Sequence, residues 1–274
     1  MQKVRLAATI GWGFPTWTEH DEAALLSSSG IRRAQLFRNP ARPFAPSETR
    51  RFLADFGIEV VSIHGLFGDV YDPSNVEESA RSRAAEGLAR EAEVCLELGG
   101  RLVVVHPGDA NIGQETRNPA RIMALKRSAE HLAEAGRRLA VVFALENLQR
   151  GQMGDDMAML RRIVDEIDSP QLGLNYDCGH ANLTDGVVRV LEQCGPRIVA
   201  THIHDNSGRA DDHWVPGTGT VDMEAVCRGL ARFGYRGDFV LELLETTEAV
   251  RKKCTPEWQQ RLARWLALAN GLDS

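Results

Sequence analysis

The strongest constraint on the fold is a strict alternation of short apolar runs with longer amphipathic segments along the chain. The apolar runs are rich in Val, Ile and Leu without alternating polar residues, as expected of parallel strands that helices cover. The predicted strands are residues 4–10, 33–37, 59–63, 102–105, 140–145, 172–176, 198–203 and 239–243. No Pro/Ser-rich linker divides these units, so residues 1–274 are predicted to form a single-domain (β/α)8 TIM barrel.

The amphipathic segments between the strands predict eight helices. They are residues 18–28, a segment capped by Ser47, 75–98, 119–137, 155–167, 187–194, 223–233 and 256–270. A doubly wound open sheet is the alternative fold for such an alternation. Its dinucleotide motif is incomplete here, because Gly11-Trp12-Gly13-Phe14-Pro15 lacks the third glycine and continues with proline.

Composition limits the partners that this chain can have. The net charge of −6 argues against a nucleic-acid partner without excluding one, since phosphate binding favours a basic face. No stretch of 18 apolar residues and no signal peptide stand out, so no membrane role is predicted. Five widely spaced cysteines without a CxxC motif favour a reduced, cytoplasmic chain. A small-molecule substrate is expected, and a homo-oligomer is left open.

Histidines and carboxylates lie at or just after the ends of most predicted strands. The C-terminal ends of barrel strands meet at one mouth, so these side chains should converge there. Imidazole and carboxylate together bind divalent transition metals. The residues are His64, His106, Glu146, Asp177, His180, His202, His204, Asp211, His213 and Glu242.

Two of these carboxylates, Glu146 and Glu242, end strongly apolar runs. Burying an unpaired carboxylate costs several kcal/mol, roughly, so each needs a partner in the folded chain. One cation held by Glu146, Asp177, His202 and Glu242 would meet this need with mixed nitrogen and oxygen ligands. Such a set suits Mn²⁺, Co²⁺, Zn²⁺ or Fe²⁺ and fits Ca²⁺ less well.

Three longer segments carry a resemblance to a known family. They are Asp177-Cys178-Gly179-His180, His202-Ile203-His204-Asp205-Asn206, and a D-x-H-x-x-P-G-x-G-x-hydrophobic-D pattern over 211–222. The chain resembles the xylose isomerase-like barrels, the superfamily of sugar phosphate isomerases/epimerases and endonuclease IV. The sugar branch implies one divalent metal on the four-residue set, with Glu146 and Glu242 as the acid/base pair. It also implies that His180 touches a substrate hydroxyl.

The endonuclease IV branch implies a different site on the same frame. Three zinc ions would then be held by His64, His106, Glu146, Asp177, His180, His202, Asp211, His213 and Glu242, all of the right residue type. The apolar loop after His64, the acidic net charge and Pro216 favour the sugar branch. A zinc-dependent phosphodiester hydrolase therefore stays the alternative, as does a metal-dependent sugar lyase or dehydratase.

Further residues near the mouth are weaker candidates for substrate contacts. Trp12, Phe14 and Trp17 follow the first strand, and aromatic rings there can stack on sugar C–H faces or simply pack the loop. Asp109 and Asn111 follow His106 and could contact hydroxyls or form a turn. No Gly-rich loop with a nearby Lys or Arg follows strands seven or eight, which favours a non-phosphorylated substrate.

Overall fold

Eight parallel strands close into a barrel in which each strand pairs with its sequence neighbours and β8 pairs with β1. The computed structural model describes residues 3–15, 18–108 and 116–272. The strands are β1 Arg5–Trp12, β2 Arg33–Arg38, β3 Glu59–His64, β4 Leu102–Val105, β5 Val142–Glu146, β6 Leu172–Asp177, β7 Ile198–Ile203 and β8 Asp238–Leu241. The predicted (β/α)8 barrel is confirmed, and the open-sheet alternative is wrong.

Ten α-helices accompany these strands in the described part of the chain. They are α1 Glu19–Ser28, α2 Pro46–Asp55, α3 Glu78–Leu98, α4 Pro119–Leu139, α5 Met157–Ile167, α6 Cys178–Asn182, α7 Val187–Cys194, α8 Met223–Arg232, α9 Thr247–Lys253 and α10 Pro256–Ala269. Two short 3₁₀ turns span Asp69–Tyr71 and Gly195–Arg197. The sequence did not predict α6 and α9, which have only five and seven residues and so little periodic pattern.

Three predicted helix starts are wrong, and one of them is that of α5, which begins at Met157 with Asp156 as its N-cap rather than at residue 155. Helix α2 begins at Pro46 with Ala45 as its N-cap, so Ser47 lies inside the helix. Proline suits the first helical position because its missing N–H would have no partner there. Helix α3 begins at Glu78 rather than at residue 75, because the Glu77 carboxylate caps it by accepting the backbone N–H groups of Ser79 and Ala80.

The core divides into an outer and an inner part, because alternate residues of each strand face opposite sides. Outward residues such as Val103, Val105 and Phe143 pack against the helices in the large hydrophobic core. Between them in sequence, Val104 and Ala144 form a small separate cluster with Ala200. This inner cluster is made of small side chains, which leaves room inside the barrel for polar residues toward its mouth.

All five cysteines are unpaired, and all but Cys254 are buried. Burial raises the pKa of Cys95 and of Cys227 to about 12, so these thiols are poor nucleophiles.

Within the described ranges, none of the helices combines the length and the apolar character needed to cross a bilayer.

Candidate metal centre

A pocket of about 370 Å³ opens at the C-terminal ends of the strands. The predicted donor residues converge there and form three groups of histidine and carboxylate side chains. We call them the central group (Glu146, Asp177, His202, Glu242), the second group (His64, His106, Glu146) and the third group (His180, His204, Asp211, His213). In each group the potential ligand atoms lie within 4.8 Å of one another. Glu146 belongs to two groups.

The central group is built around one imidazole nitrogen. His202 Nδ1 lies 2.5 Å from Glu146 Oε1, 3.1 Å from Glu242 Oε2 and 3.7 Å from Asp177 Oδ2. All four residues are buried. Only the two glutamates line the pocket, whereas Asp177 and His202 lie behind them with no exposed surface. A ligand in the pocket would therefore meet two carboxylates that arrive from β5 and from the residue after β8.

The electrostatics of the central group are those of a buried ion-pair network. Burial alone would raise the pKa of Glu146 and Glu242, but the neighbouring imidazoles together outweigh it, with the charge of His202 contributing most among them. The pKa of Glu146 is held well below its usual value and that of Glu242 falls to about 2. Burial would conversely lower the pKa of His202, and the charges of Glu242 and Glu146 raise it well above normal. Without a metal, a proton on His202 balances the carboxylates.

Hydrogen bonds from the surrounding chain orient the histidine rings. His202 Nε2 lies 2.8 Å from Gln35 Oε1, which leaves Nδ1 toward the carboxylates. His64 and His180 use Nδ1 instead, at 2.8 Å from the carbonyl oxygen of Gly65 and 2.9 Å from that of Asn147. Their Nε2 atoms then face the site. An anchor on the second nitrogen fixes the tautomer of metal-binding histidines, so the pattern fits a metal site.

The second group shares the Glu146 carboxylate with the central group. Glu146 Oε1 accepts a hydrogen bond from Asn175 Nδ2 at 2.9 Å and faces His202. Glu146 Oε2 lies 3.2 Å from His106 Nε2 and 3.6 Å from His64 Nε2. This oxygen is buried, and no described residue gives it a well-aligned hydrogen bond. An unsatisfied carboxylate oxygen between two imidazoles fits a divalent cation, because burying it without a partner is costly.

The third group joins α6 to the loop after β7. Asp211 Oδ2 lies 3.1 Å from His180 Nε2 and 3.2 Å from His213 Nε2, while its buried Oδ1 has no hydrogen-bond partner among the described residues. Burial opposes the protonated form of His180, but the charge of Asp177 raises the pKa of this histidine to about 10. Burial likewise opposes protonation of His213, and its hydrogen bond to Asp211 raises the pKa to about 9.

Backbone strain marks the third group. His213 has a φ of +49°, a left-handed conformation that is costly for a residue with a Cβ atom. The two other described non-glycine residues with positive φ, Ala140 and Asp168, end helices α4 and α5. His213 ends no helix, so the loop around it must hold the ring in place.

Asp205 holds that loop, and the sequence analysis assigned it no role although it lies in the His202–Asn206 motif. Its buried Oδ1 accepts the backbone N–H groups of Asn206 and Val221 at 2.9 and 3.0 Å. Its Oδ2 accepts those of Gly217 and Gly219 at 2.8 and 2.9 Å. One carboxylate therefore ties together both ends of the segment that carries Asp211 and His213.

His204 lies behind the pocket rather than in its lining. It is fully buried, and its Nε2 is 3.1 Å from both oxygens of Asp177. Its ring stacks on that of His213 at 3.8 Å between centroids. Gly179 makes room for the ring, because a Cβ atom at this position would lie 1.9 Å from His204 Cε1. His204 thus positions Asp177 and His213.

The two aromatic residues predicted to touch substrate lie in different places. Trp12 is the last residue of β1 and packs edge-on against Phe44 and Phe52, outside the pocket. Phe14 stacks on Phe37, which does line the pocket, with 4.8 Å between ring centroids. Trp17, Asp109 and Asn111 fall outside the described residues.

Several residues that shape the site were not predicted. Asn175 could have been found, because it lies two residues before Asp177 and therefore shares its face of β6. Asn147 follows Glu146 directly. Its Oδ1 accepts the backbone N–H of Asp177, and its Nδ2 donates to the carbonyl oxygen of Asp177. Gln35 gives no such signal, since only the closed barrel brings β2 within reach of β7.

Fold and site together define a (β/α)8 barrel with a candidate centre for divalent metal ions at its mouth. The chain belongs to the xylose isomerase-like TIM barrel family, whose model matches residues 22–267. This membership confirms the resemblance found in the sequence motifs. The family and its structural neighbours are mostly enzymes.

Two sequence relatives and one solved structure are similar to this chain over most of its length. An uncharacterized protein of Methanocaldococcus jannaschii is 31% identical over 205 residues, 72% of this chain and 69% of the relative. A probable endonuclease 4 of Nitratidesulfovibrio vulgaris is 31% identical over 213 residues, 68% of this chain and 72% of the relative. A solved D-tagatose 3-epimerase-like protein superposes with a TM-score of 0.76 at 24% identity, covering 98% of this chain and 99% of its own. The last similarity shows the fold alone.

Proposed function

We propose that this protein is a divalent-metal-dependent isomerase or epimerase of a small sugar, keto-sugar or polyol derivative. The observation that carries the proposal is the exposure pattern of the central group. Glu146 and Glu242 line the pocket, while Asp177 and His202 lie buried behind them. Two carboxylates that reach one substrate from separate strands can remove a proton from carbon and return one.

The chain supplies the acid/base part of this reaction. Glu146 and Glu242 are held ionised, so either can accept a proton from the carbon next to a carbonyl group. Inversion needs the other glutamate to take up a proton from solvent and deliver it to the opposite face of that carbon, while the first glutamate releases its proton to solvent. A divalent cation on Glu146, Asp177, His202 and Glu242 would polarise the substrate oxygens and acidify the neighbouring C–H bond. His180 lines the pocket beside them, and a substrate hydroxyl that took the place of Asp211 Oδ2 would accept a hydrogen bond from its Nε2.

Proton exchange tests the proposal directly. Protein loaded with Mn²⁺, Co²⁺ or Zn²⁺ is incubated in D₂O with a panel of ketoses, and NMR follows deuterium at the carbon next to the carbonyl. We expect deuterium in the epimerised product, and a loss of at least about 100-fold in rate for Glu146→Gln and Glu242→Gln. Asp69→Asn is the matched control, since Asp69 lines the pocket outside the three donor groups. Full activity of Glu146→Gln would refute the acid/base role.

A phosphodiester hydrolase is the second candidate function. It is favoured by the second and third groups, which add donors that a single-metal site does not need. A multinuclear site suits phosphate ester hydrolysis, and the probable endonuclease 4 is among the relatives. Incubation of Zn²⁺-loaded protein with DNA that contains an abasic site distinguishes the two. Cleavage that is lost in Asp211→Asn would place this function first.

A further inference from the structure

The pocket lining is rich in carboxylates, and its protonated histidines, His180 and His213, are both paired with Asp211. Four carboxylates line it, those of Asp69, Glu146, Asp211 and Glu242, and among the described residues no Lys or Arg does so. The segments outside the described ranges, residues 1–2, 16–17, 109–115 and 273–274, contain no Lys or Arg either. Anionic groups are usually bound by Lys or Arg, and the two protonated histidines already face Asp211, so among the described residues the lining offers no unpaired cationic side chain to a substrate phosphate.

One wall of the pocket is aromatic and fixed in place. The ring of Phe67 lies parallel to that of Phe37, with 5.8 Å between centroids, and stacks on His106 at 4.5 Å. Phe14 extends this ladder on the far side of Phe37. Rings that stack on both sides cannot turn away from the pocket without losing these contacts, so the wall is preorganised for a ligand.

Two large apolar side chains of the pocket lining stay exposed. Phe67 is 45% exposed and Leu244 is 46% exposed, and both line the pocket. Large side chains of this kind are normally covered, and a pocket that leaves them open offers apolar contact area to a ligand. The polar side of the pocket carries the amides of Gln149 and Gln152, which suit hydroxyl groups rather than charges.

We propose that the substrate is an uncharged sugar derivative that carries an apolar, ring-shaped substituent, and that Phe67 recognises this substituent. The inference rests on the proposed function for the sugar part of the substrate. Hydroxyl groups then meet Gln149, Gln152 and the donor groups, while the substituent covers Phe67. The pocket volume of about 370 Å³ lies within the range of small-molecule sites.

Binding measurements test this without requiring turnover. Calorimetry on Zn²⁺-loaded protein compares phenyl and methyl glycosides of glucose, galactose and fructose, together with the 6-phosphates of the same sugars. We expect a phenyl glycoside to bind at least about 10-fold more tightly than its methyl partner, since covering half a phenylalanine is worth this factor. We expect the 6-phosphates to bind no more tightly than the parent sugars.

Two variants assign the effect to Phe67. Phe67→Ala should remove most of the preference for the phenyl group and leave the affinity for methyl glycosides nearly unchanged. Val70→Ala is the matched control, because Val70 lies on the same loop, is 72% exposed and does not line the pocket.

Equal affinity for phenyl and methyl glycosides, or a 6-phosphate bound 10-fold more tightly, would overturn the proposal. So would a Phe67→Ala variant that changes the oligomeric state of the protein instead of its affinity. Because only binding is measured, an inactive protein that prefers phenyl glycosides would contradict the proposed function alone.

Discussion

Replacing Asp205 with asparagine should loosen the loop that carries Asp211 and His213. Each carboxylate oxygen of Asp205 accepts two backbone N–H groups. An asparagine amide keeps one oxygen but turns an NH₂ group toward the other two N–H groups. Two hydrogen bonds to a charged acceptor are thus lost, and two backbone N–H groups face the amide NH₂ without an acceptor.

The size of this effect follows from the number of bonds. A hydrogen bond to a charged group contributes about 1.5–3 kcal/mol, so Asp205→Asn should lower the free energy of unfolding by about 3–6 kcal/mol. Urea unfolding of metal-free protein measures this difference. Counting bound metal ions adds a local readout, because loosening should weaken the third group while the central group keeps its affinity.

Asp212→Asn provides the matched control for this prediction. Asp212 is the carboxylate next to Asp211, and it accepts the backbone N–H and the hydroxyl of Ser207 through Oδ2 alone. An asparagine there can keep both bonds with its single oxygen, so only a small change is expected. If Asp205→Asn were as stable as Asp212→Asn, the role given to Asp205 would be refuted.

Three further substitutions test other contacts. Burial raises the pKa of the Glu22 carboxyl group from 4.5 in the unfolded chain to about 7 in the folded protein. The ionised carboxylate therefore destabilises the folded protein as the pH rises from 4.5 to about 7. Glu22→Gln should therefore stabilise the protein at about pH 8 by at most about 3 kcal/mol and leave its stability at about pH 4 unchanged. Urea unfolding at the two pH values measures this, and an equal gain at both would contradict the prediction. Gly179→Ala places a Cβ atom against His204 and should cost about 1–3 kcal/mol by the same measurement, whereas parental stability would disprove the close approach. Gln35→Leu removes the acceptor of His202 Nε2 and should weaken metal binding by about 10–100-fold in a Co²⁺ titration, with unchanged affinity as the contrary result.

The fold and the donor set were predictable because both rest on local patterns. Eight apolar runs fix eight strands, and a residue at the end of a run must lie at the barrel mouth once the barrel closes. Glu146 and Glu242 were identifiable for a further reason, since a carboxylate at the end of an apolar run needs a buried partner. Their grouping with Asp177 and His202 in the structure agrees with that expectation.

The contacts that support the donors were not predictable, because they depend on distant parts of the chain. Asp205 binds N–H groups up to 16 residues further along, and Gln35 meets His202 across 167 residues. Trp12 shows how an error in a predicted strand end changes the expected direction of a side chain. Strand β1 continues to Trp12, so this side chain shares the outward parity of Ile10, whereas Thr9 faces the pocket. Because the predicted strand ended at residue 10, the prediction placed Trp12 in the loop after the strand rather than on its outward face.

In the third group two protonated histidines face Asp211, and a metal that bound there would have to displace their protons. At about pH 7 the raised pKa values of His180, about 10, and His213, about 9, keep both rings protonated against Asp211. Their Nδ1 atoms contact the carbonyl oxygens of Asn147 and Glu242, so a metal must take the Nε2 positions and displace a proton from each. Binding of one ion should therefore release about two protons, seen in calorimetry as a dependence of the binding heat on the buffer. The number should fall, and the apparent affinity should rise, as the pH is raised from about 7 toward 10. Release of no protons at about pH 7 would show that the two histidines are already neutral and that the charge network described for the third group is wrong.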